Sequence, residues 1–189
     1  MFLSFDGVDG VGKSTQLKLL CHWLEQQQRG VVTCRDPGST ELGESLRSIV
    51  LQDFDTPIDR TSEMLLYMAA RAQMVQQVIR PALAAGKIVV SDRFLLANVV
   101  YQGYAGGLDV EQLWQVGEVA VGGLHPDLTI VLDMEVAAAR TRLNRDLDRM
   151  ESQGMEYLER VRQGFLTEAQ LNHERIIIIN ADQSIEQVQ

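Results

Sequence analysis

The sequence predicts an α/β protein built on a doubly wound, five-stranded parallel sheet flanked by helices. Three observations carry that expectation. Four apolar runs, FLSF (2–5), KIVVSD (87–92), LTIVLD (128–133) and RIIIIN (175–180), are continuous instead of alternating, as in strands buried on both faces of a parallel sheet. Segments of helical periodicity lie between them, so strand and helix alternate along the whole chain. A weaker run, VVTC (31–34), supplies the fifth strand.

Each element has a local reason. FLSF leads into a glycine-rich turn and then a helical pattern over 14–28. Residues 61–80 (TSEMLLYMAARAQMVQQVIR) repeat apolar side chains at helical spacing and should stop before Pro81, which cannot donate to a helical ladder. Further helices are expected over about 110–121, 135–147 and 155–172. Ligands of such a sheet gather beyond the carboxyl ends of the strands. That rule selects the loops 6–14, 35–40, 92–107, 133–149 and 180–183. No repeat, low-complexity tract or linker interrupts the chain, so residues 1–189 are expected to form a single domain.

Composition narrows the class of partner. The chain has 189 residues, enough for one domain with a substantial core, and a formal net charge of −9 that disfavours nucleic acid or an anionic membrane. No run approaches the roughly 18 apolar residues of a membrane span. The start, MFLSFDG, lacks the basic region and length of a signal peptide, so a cytoplasmic location is expected. Cys21 and Cys34 have no metal-binding spacing and are expected to be two buried free thiols.

The most specific motif follows the first strand. Gly7-Val8-Asp9-Gly10-Val11-Gly12-Lys13-Ser14, with Thr15 after it, fits GxxxxGK[ST] between a strand and a helix. Glycines let backbone N–H groups converge on anionic oxygens, and the helix behind adds its positive end. In such a loop Lys13 neutralises the β and γ phosphates of a nucleotide while the Ser14 hydroxyl holds Mg²⁺. A guanine-reading NKxD element is absent: Asn180-Ala181-Asp182-Gln183 lacks the lysine. A chain this short, nearly all of it core, points to a small-molecule kinase.

Four further stretches, RDPGST (35–40), LLYMAARAQMV (65–75), SDRF…YQG (91–103) and LDRME (147–151), stand in register with the phosphate loop. In this order and spacing the chain resembles the thymidylate kinase family, up to about Ala181. The resemblance implies a P-loop fold of the nucleoside-monophosphate-kinase type, ATP as donor, dTMP as acceptor, Mg²⁺ as cofactor and a homodimer. It places Arg93 between the acceptor phosphate and the γ-phosphate, and Arg47 on the acceptor's 5′-phosphate. Tyr67 and Arg71, four apart on one helix face, would stack on thymine and bond its O4. Asn98 and Gln102 match base-contacting positions, and Tyr101 matches a tyrosine that crowds the sugar's 2′ position. Asp9, an odd carboxylate among phosphates, would take the acceptor's 3′-hydroxyl or a Mg²⁺-bound water. Ser14, Asp9 and Asp92 are the expected Mg²⁺ contacts, partly through water.

The basic stretch RTRLNRDLDRME resembles a lid, expected to be mobile around 140–151 and to carry Arg142, Arg145 and Arg149. Gly10 follows Asp9, so the phosphate loop offers no arginine, and Arg145 joins Lys13, Arg93 and Asp9 as an expected catalytic residue. The chain departs from the family pattern at Asn144, at Ala97-Asn98 and at Gly106-Gly107, and its C-terminus falls early in what should be the last helix. Taken alone, several of these residues have plainer readings. Arg47 could be a solvated helix charge, Tyr67 and Arg71 an amphipathic helix, and the lid run a solvated helix paired with Asp146 and Asp148. Two alternatives stay open on sequence: a deoxynucleoside kinase, for which Asp36 is the evident candidate base, and a non-catalytic nucleotide-binding module.

Overall fold

The computed structural model describes residues 1–143 and 153–189. Strand β1 (Phe2–Asp6) is followed by helix α1 (Lys13–Gln26), β2 (Val31–Arg35), α2 (Glu41–Leu51) and α3 (Arg60–Met74). A π turn, Val75–Ile79, continues α3 into α4 (Arg80–Ala84), and β3 (Ile88–Asp92) follows. Helix α5 (Leu95–Asn98) runs into a second π-helical stretch, Val99–Ala105. The chain ends with α6 (Val110–Val121), β4 (Leu128–Asp133), α7 (Val136–Thr141), α8 (Met155–Leu171), β5 (Ile176–Asn180) and α9 (Ile185–Val188).

The five strands are all parallel in the order β2-β3-β1-β4-β5. From β1 the chain crosses by α1 to β2, and from its neighbour β3 it crosses the other way to β4. The crevice between the ends of β1 and β3 is therefore the topological switch point, where such sheets bind ligands. Every residue of β1 is buried, and its side chains alternate between two layers. Leu3 and Phe5 pack with Leu17, Val161 and Phe165 on one face, while Phe2 packs with Met68, Phe94 and Leu113 on the other. Each such side chain stabilises the fold by about 1.5–3 kcal/mol relative to exposure.

Several helix starts are set by side-chain caps. Thr40 accepts from Gly43 N–H, and Asp59 accepts from Thr61 and Ser62 N–H. Helix α1 differs: Gly12, in a left-handed conformation, precedes it, and no side chain caps it. Its first N–H groups are left to the phosphate loop.

The structure corrects several expectations. The helix expected to stop before Pro81 runs on to Ala84, because the π turn changes the ladder just ahead of the proline. Arg80 N–H donates five residues back to Val75, and Pro81 then sits in the first turn of α4, where its missing N–H costs least. Residues 92–107, read as a loop, are largely helical over 95–105. The RIIIIN strand is an edge, so Ile177 and Ile178 are partly exposed instead of covered on both faces. Of the two free thiols, Cys34 is buried but Cys21 is only half-buried on α1. Helix α7 ends at Thr141, within the stretch expected to run on to 147.

One buried pair on β1 gives the fold a pH dependence. Ser4 Oγ donates to Asp6 Oδ2 at 2.9 Å, and Asp6 Oδ1 has no hydrogen-bond partner among the described residues. Burial pushes the Asp6 carboxyl up to about 7 from its ordinary 3.8, against the pull of Arg93. Between those values the folded chain keeps a proton that the unfolded chain releases, so this group's contribution to stability falls as pH rises from about 4 to about 7. Asp6→Asn should therefore gain on the wild type across that window. Urea unfolding of both proteins at pH 4.5 and 7.5 checks this (test values at about the window's ends). Parallel pH dependences would contradict it.

Candidate active site

The phosphate loop leaves β1 and wraps the start of α1. Its shape depends on two glycines with positive φ. A Cβ at Gly7 (φ +127°) would run into the Leu132 carbonyl oxygen, and one at Gly10 (φ +89°) into that of Ala139. The loop thus lies directly on the end of β4 and on α7, with Val8 and Val11 turned into the core. Lys13 folds back over it: Nζ donates to the Gly7 carbonyl at 3.0 Å and the Val8 carbonyl at 2.8 Å, and to Asp9 Oδ1 at 3.3 Å. Burial lowers the Lys13 ammonium from its ordinary range, helped by the charge of Arg93.

Arg93 arrives from the neighbouring strand. Its N–H donates to the Phe5 carbonyl at 2.8 Å, which ties the end of β3 to the end of β1. Its φ is +67°, a left-handed conformation that non-glycine residues rarely adopt and that clusters at functional sites. Arg93 Nη2 donates to Asp9 Oδ1 at 2.7 Å and to Tyr101 Oη at 3.0 Å, while the guanidinium carbon lies 4.9 Å from the Tyr101 ring centre. Arg93 Nη1 is buried with no hydrogen-bond partner among the described residues. Burial opposes ionisation of Asp9, but Arg93 and Lys13 outweigh it and hold this carboxyl well below the usual range. The ion-pair partner of Arg93 is Asp9.

Asp92, at the end of β3, accepts from Ser14 Oγ at 3.2 Å. Hydroxyl and carboxylate oxygens side by side on one cavity wall are the hard donors that suit Mg²⁺, which takes one or two protein ligands plus substrate phosphates. Among the described residues no cluster of three or more His, Cys, Asp or Glu could hold a metal by itself.

Two cavities meet at this cluster. The larger, about 680 Å³, is walled by residues 9–16 of the loop and α1, by Asp92 and Arg93, and by Gln183–Ile185 at the far side. The phosphate-loop residues Asp9, Gly10, Val11, Gly12, Lys13, Ser14 and Thr15 all line it, whereas Gly7 and Val8 contribute carbonyls to Lys13 instead. Arg142 also lines it, anchored on the turn after β5 by a 3.2 Å bond to the Ala181 carbonyl. Arg145 and Arg149, the other expected lid arginines, and Asn144 lie outside the described residues.

The smaller cavity, about 120 Å³, gathers the residues expected to hold the acceptor: Asp9, Arg47, Tyr67, Arg71, Arg93, Asn98, Tyr101 and Gln102. They come from the phosphate loop, α2, α3, the end of β3 and the helical stretch 95–105. Asp9, Asp36, Arg47 and Arg93 line both cavities. Arg71, fully buried, is held at 2.5 Å by Asp36 through Nε and donates from Nη1 to Asn98 Oδ1 at 3.0 Å. Burial pushes the Asp36 carboxyl up while Arg71 pulls it down. Asp36 enters the site as the counter-ion of Arg71, a position that sequence reading did not give it. The bond continues from Asn98 Nδ2 to Gln102 Oε1 at 2.7 Å, and from Gln102 Nε2 to Glu63 Oε1 at 2.8 Å. Glu63 was also missed. The signal was present, since Glu63, Tyr67 and Arg71 follow one another at intervals of four on one face of α3.

Comparison with known proteins agrees with this geometry. The family model described as thymidylate kinase matches residues 5–189. The thymidylate kinase of Rhodopirellula baltica is 46% identical over 186 residues, covering 98% of this chain and 76% of the relative. That of Symbiobacterium thermophilum is 46% identical over 191 residues, covering 100% of this chain and 89% of the relative. The crystal structure of thymidylate kinase from Ehrlichia chaffeensis superposes with a TM-score of 0.80 at 33% identity, covering 95% of this chain and 91% of that one. A phosphate loop at the switch point, a second cavity sharing its cations, and full-length similarity in sequence and fold together establish that the chain belongs to the thymidylate kinase family.

Proposed function

We propose that the chain moves the γ-phosphoryl group of ATP onto dTMP by holding both anions against one group of cations shared between its two cavities. The observation that carries this reading is the shared wall: Asp9 and Arg93 face the donor cleft and the acceptor cavity at once. A bond forms between a dTMP phosphate oxygen and the γ-phosphorus, and the bond from that phosphorus to the β–γ bridging oxygen breaks, releasing ADP. The dTMP phosphate is largely a dianion at neutral pH, so no base is required; the barrier is repulsion between anions. Lys13 exchanges the Gly7 and Val8 carbonyls for phosphate oxygens. Arg93, with Nη1 still to be satisfied, lies between the two substrates. When bound beside Ser14 and Asp92, Mg²⁺ supplies further neutralisation of the donor phosphates.

In the acceptor cavity Tyr67 covers the thymine ring, Arg71 donates to O4, and Asn98 and Gln102 complete the polar edge. Arg47 takes the 5′-phosphate, and the Tyr101 ring, clamped by Arg93, fills the space beside the sugar's 2′ carbon. Asp9 meets the 3′-hydroxyl. The pairing of Asp36 with Arg71 speaks against its use as a base toward a nucleoside hydroxyl. A Cβ at Gly10 would strike the Ala139 carbonyl, so that position cannot carry an arginine in this shape, and the loop's other residues include none. The transition-state arginine then comes from the lid around 140–151 that closes this single domain. Arg142 is tied to the turn after β5, which favours Arg145 or Arg149 for the phosphates.

The working protein is a cytoplasmic homodimer with no nucleic-acid or membrane partner. Exposed Leu42 and Ile49 on α2, Leu65 on α3 and Val119 on α6 support a protein-covered face. Among the described residues no helix is long and apolar enough to cross a membrane.

Two outcomes are expected from ADP-release assays. Wild-type protein should turn over with dTMP and not with thymidine, and Lys13→Ala should abolish turnover while its thermal unfolding stays close to wild type. Turnover of thymidine, or near-normal kcat in Lys13→Ala, would sink the proposal. Arg145→Ala should lower kcat by about 10²-fold or more with little change in dTMP affinity. If that variant and the Arg142→Ala and Arg149→Ala variants are all harmless, the lid does not supply the catalytic charge.

A further inference from the structure

The hydrogen-bonded chain behind the acceptor cavity has a direction. It runs from Arg71, whose guanidinium can only donate, through Asn98 and Gln102, to Glu63, whose carboxylate can only accept. Its four members are buried, with Glu63 6% exposed. The two amides in the middle are symmetrical in shape, so packing alone does not decide which end of each is oxygen. The two ends decide it. Asn98 must turn Oδ1 toward Arg71, its Nδ2 then meets Gln102 Oε1, and Gln102 Nε2 meets Glu63. Rotating either amide by a half turn opposes two donors or two acceptors in a buried site, and rotating both leaves a mismatch at each end.

Glu63 does not line the acceptor cavity. It lies on the other side of Gln102, in a separate cavity of about 190 Å³ that Tyr101 and Gln102 also wall. Whatever it does for the base, it does through Gln102. Asn98 Oδ1 has a second lone pair beyond the one used by Arg71. The fixed polarity therefore presents to the cavity a donor from Arg71 beside an acceptor from Asn98. A 4-oxo pyrimidine with a protonated N3 matches that pair. A 4-amino pyrimidine with a bare N3 is its inverse; turning both amides over would match N3 alone, because Arg71 still donates toward the amino group.

We propose that Glu63 is a positioning residue, whose bond to Gln102 locks the polarity of the Asn98–Gln102 pair and so commits the acceptor cavity to 4-oxo pyrimidines. This rests on the reading of that cavity as the dTMP site. Glu63→Gln tests it, because glutamine keeps the shape but can accept or donate, which removes one of the two mismatches that turning the amides creates. The ratio of kcat/KM for dTMP to that for dCMP should fall about tenfold or more in this variant, the effect of one buried hydrogen-bond mismatch. kcat for dTMP should stay within a few-fold of wild type. Calorimetric Kd values for dTMP and dCMP without ATP should show the same narrowing, which separates base reading from chemistry. A role confined to stability would move the unfolding temperature and leave both ratios alone. If the wild type prefers dTMP strongly and Glu63→Gln prefers it equally, the proposal is overturned while the cavity's assignment stands. If the wild type does not prefer dTMP over dCMP, that assignment fails and the proposal falls with it.

Discussion

The carboxylate of Asp9 is the point on which the site is built. It stands 3.3 Å from Lys13, at the start of α1, and 2.7 Å from Arg93, just past the end of β3. At an effective dielectric constant near 20, unit charges at such distances interact by about 4–6 kcal/mol, enough to hold two cations close together that would otherwise repel. The sheet order makes the arrangement possible. Because β1 and β3 are neighbours in register, with Phe5 opposite Asp92, the phosphate loop and Arg93 leave the sheet side by side. Arg93 accepts an unfavourable φ to turn back over the loop. The two cations are thereby positioned before any anion arrives, and positioning in advance is what electrostatic catalysis requires.

Beneath this cluster lies a polar interior in which nearly every group is matched. Arg71 is neutralised by Asp36 and leads through two amides to Glu63. A buried ion pair of this kind adds little net stability, but breaking it by removing one partner costs about 3–5 kcal/mol. Its value lies in rigidity: the guanidinium is held at one angle to the cavity. Against that background the groups left over stand out. Besides Asp6 Oδ1 on β1, Arg93 Nη1 and Asp36 Oδ1 are buried without hydrogen-bond partners among the described residues, and these two belong to side chains that line both cavities.

Much of the fold was legible because its signals are local. Buried parallel strands write themselves as continuous apolar runs, and β4 was bounded to the residue over 128–133. The edge position of β5 was not legible, since an edge strand with four isoleucines reads like a central one. Pro81 misled because a π turn, invisible in periodicity, lets the helix pass it. The helical stretch 95–105 was hidden by its glycine, tyrosines and wide turns. In the site, the phosphate loop could be read from chemistry alone. The acceptor residues were assembled by family resemblance, and the structure brings them to one cavity. Asp36, named on sequence only as an alternative base, was not seen as the counter-ion of Arg71 because that pairing joins distant parts of the chain. Glu63 was missed although its four-residue intervals to Tyr67 and Arg71 were a signal.

A crystal structure of the protein with dTMP and a non-hydrolysable ATP analogue tests the central claim most directly. The account predicts that Lys13 Nζ leaves the carbonyls of Gly7 and Val8 for the donor phosphates, and that Arg93 Nη1 contacts a phosphate oxygen between the two ligands. The thymine edge should lie on Arg71 and Asn98. A dTMP phosphate bound away from Arg93, or a Lys13 still seated on the loop with the analogue in place, would contradict it.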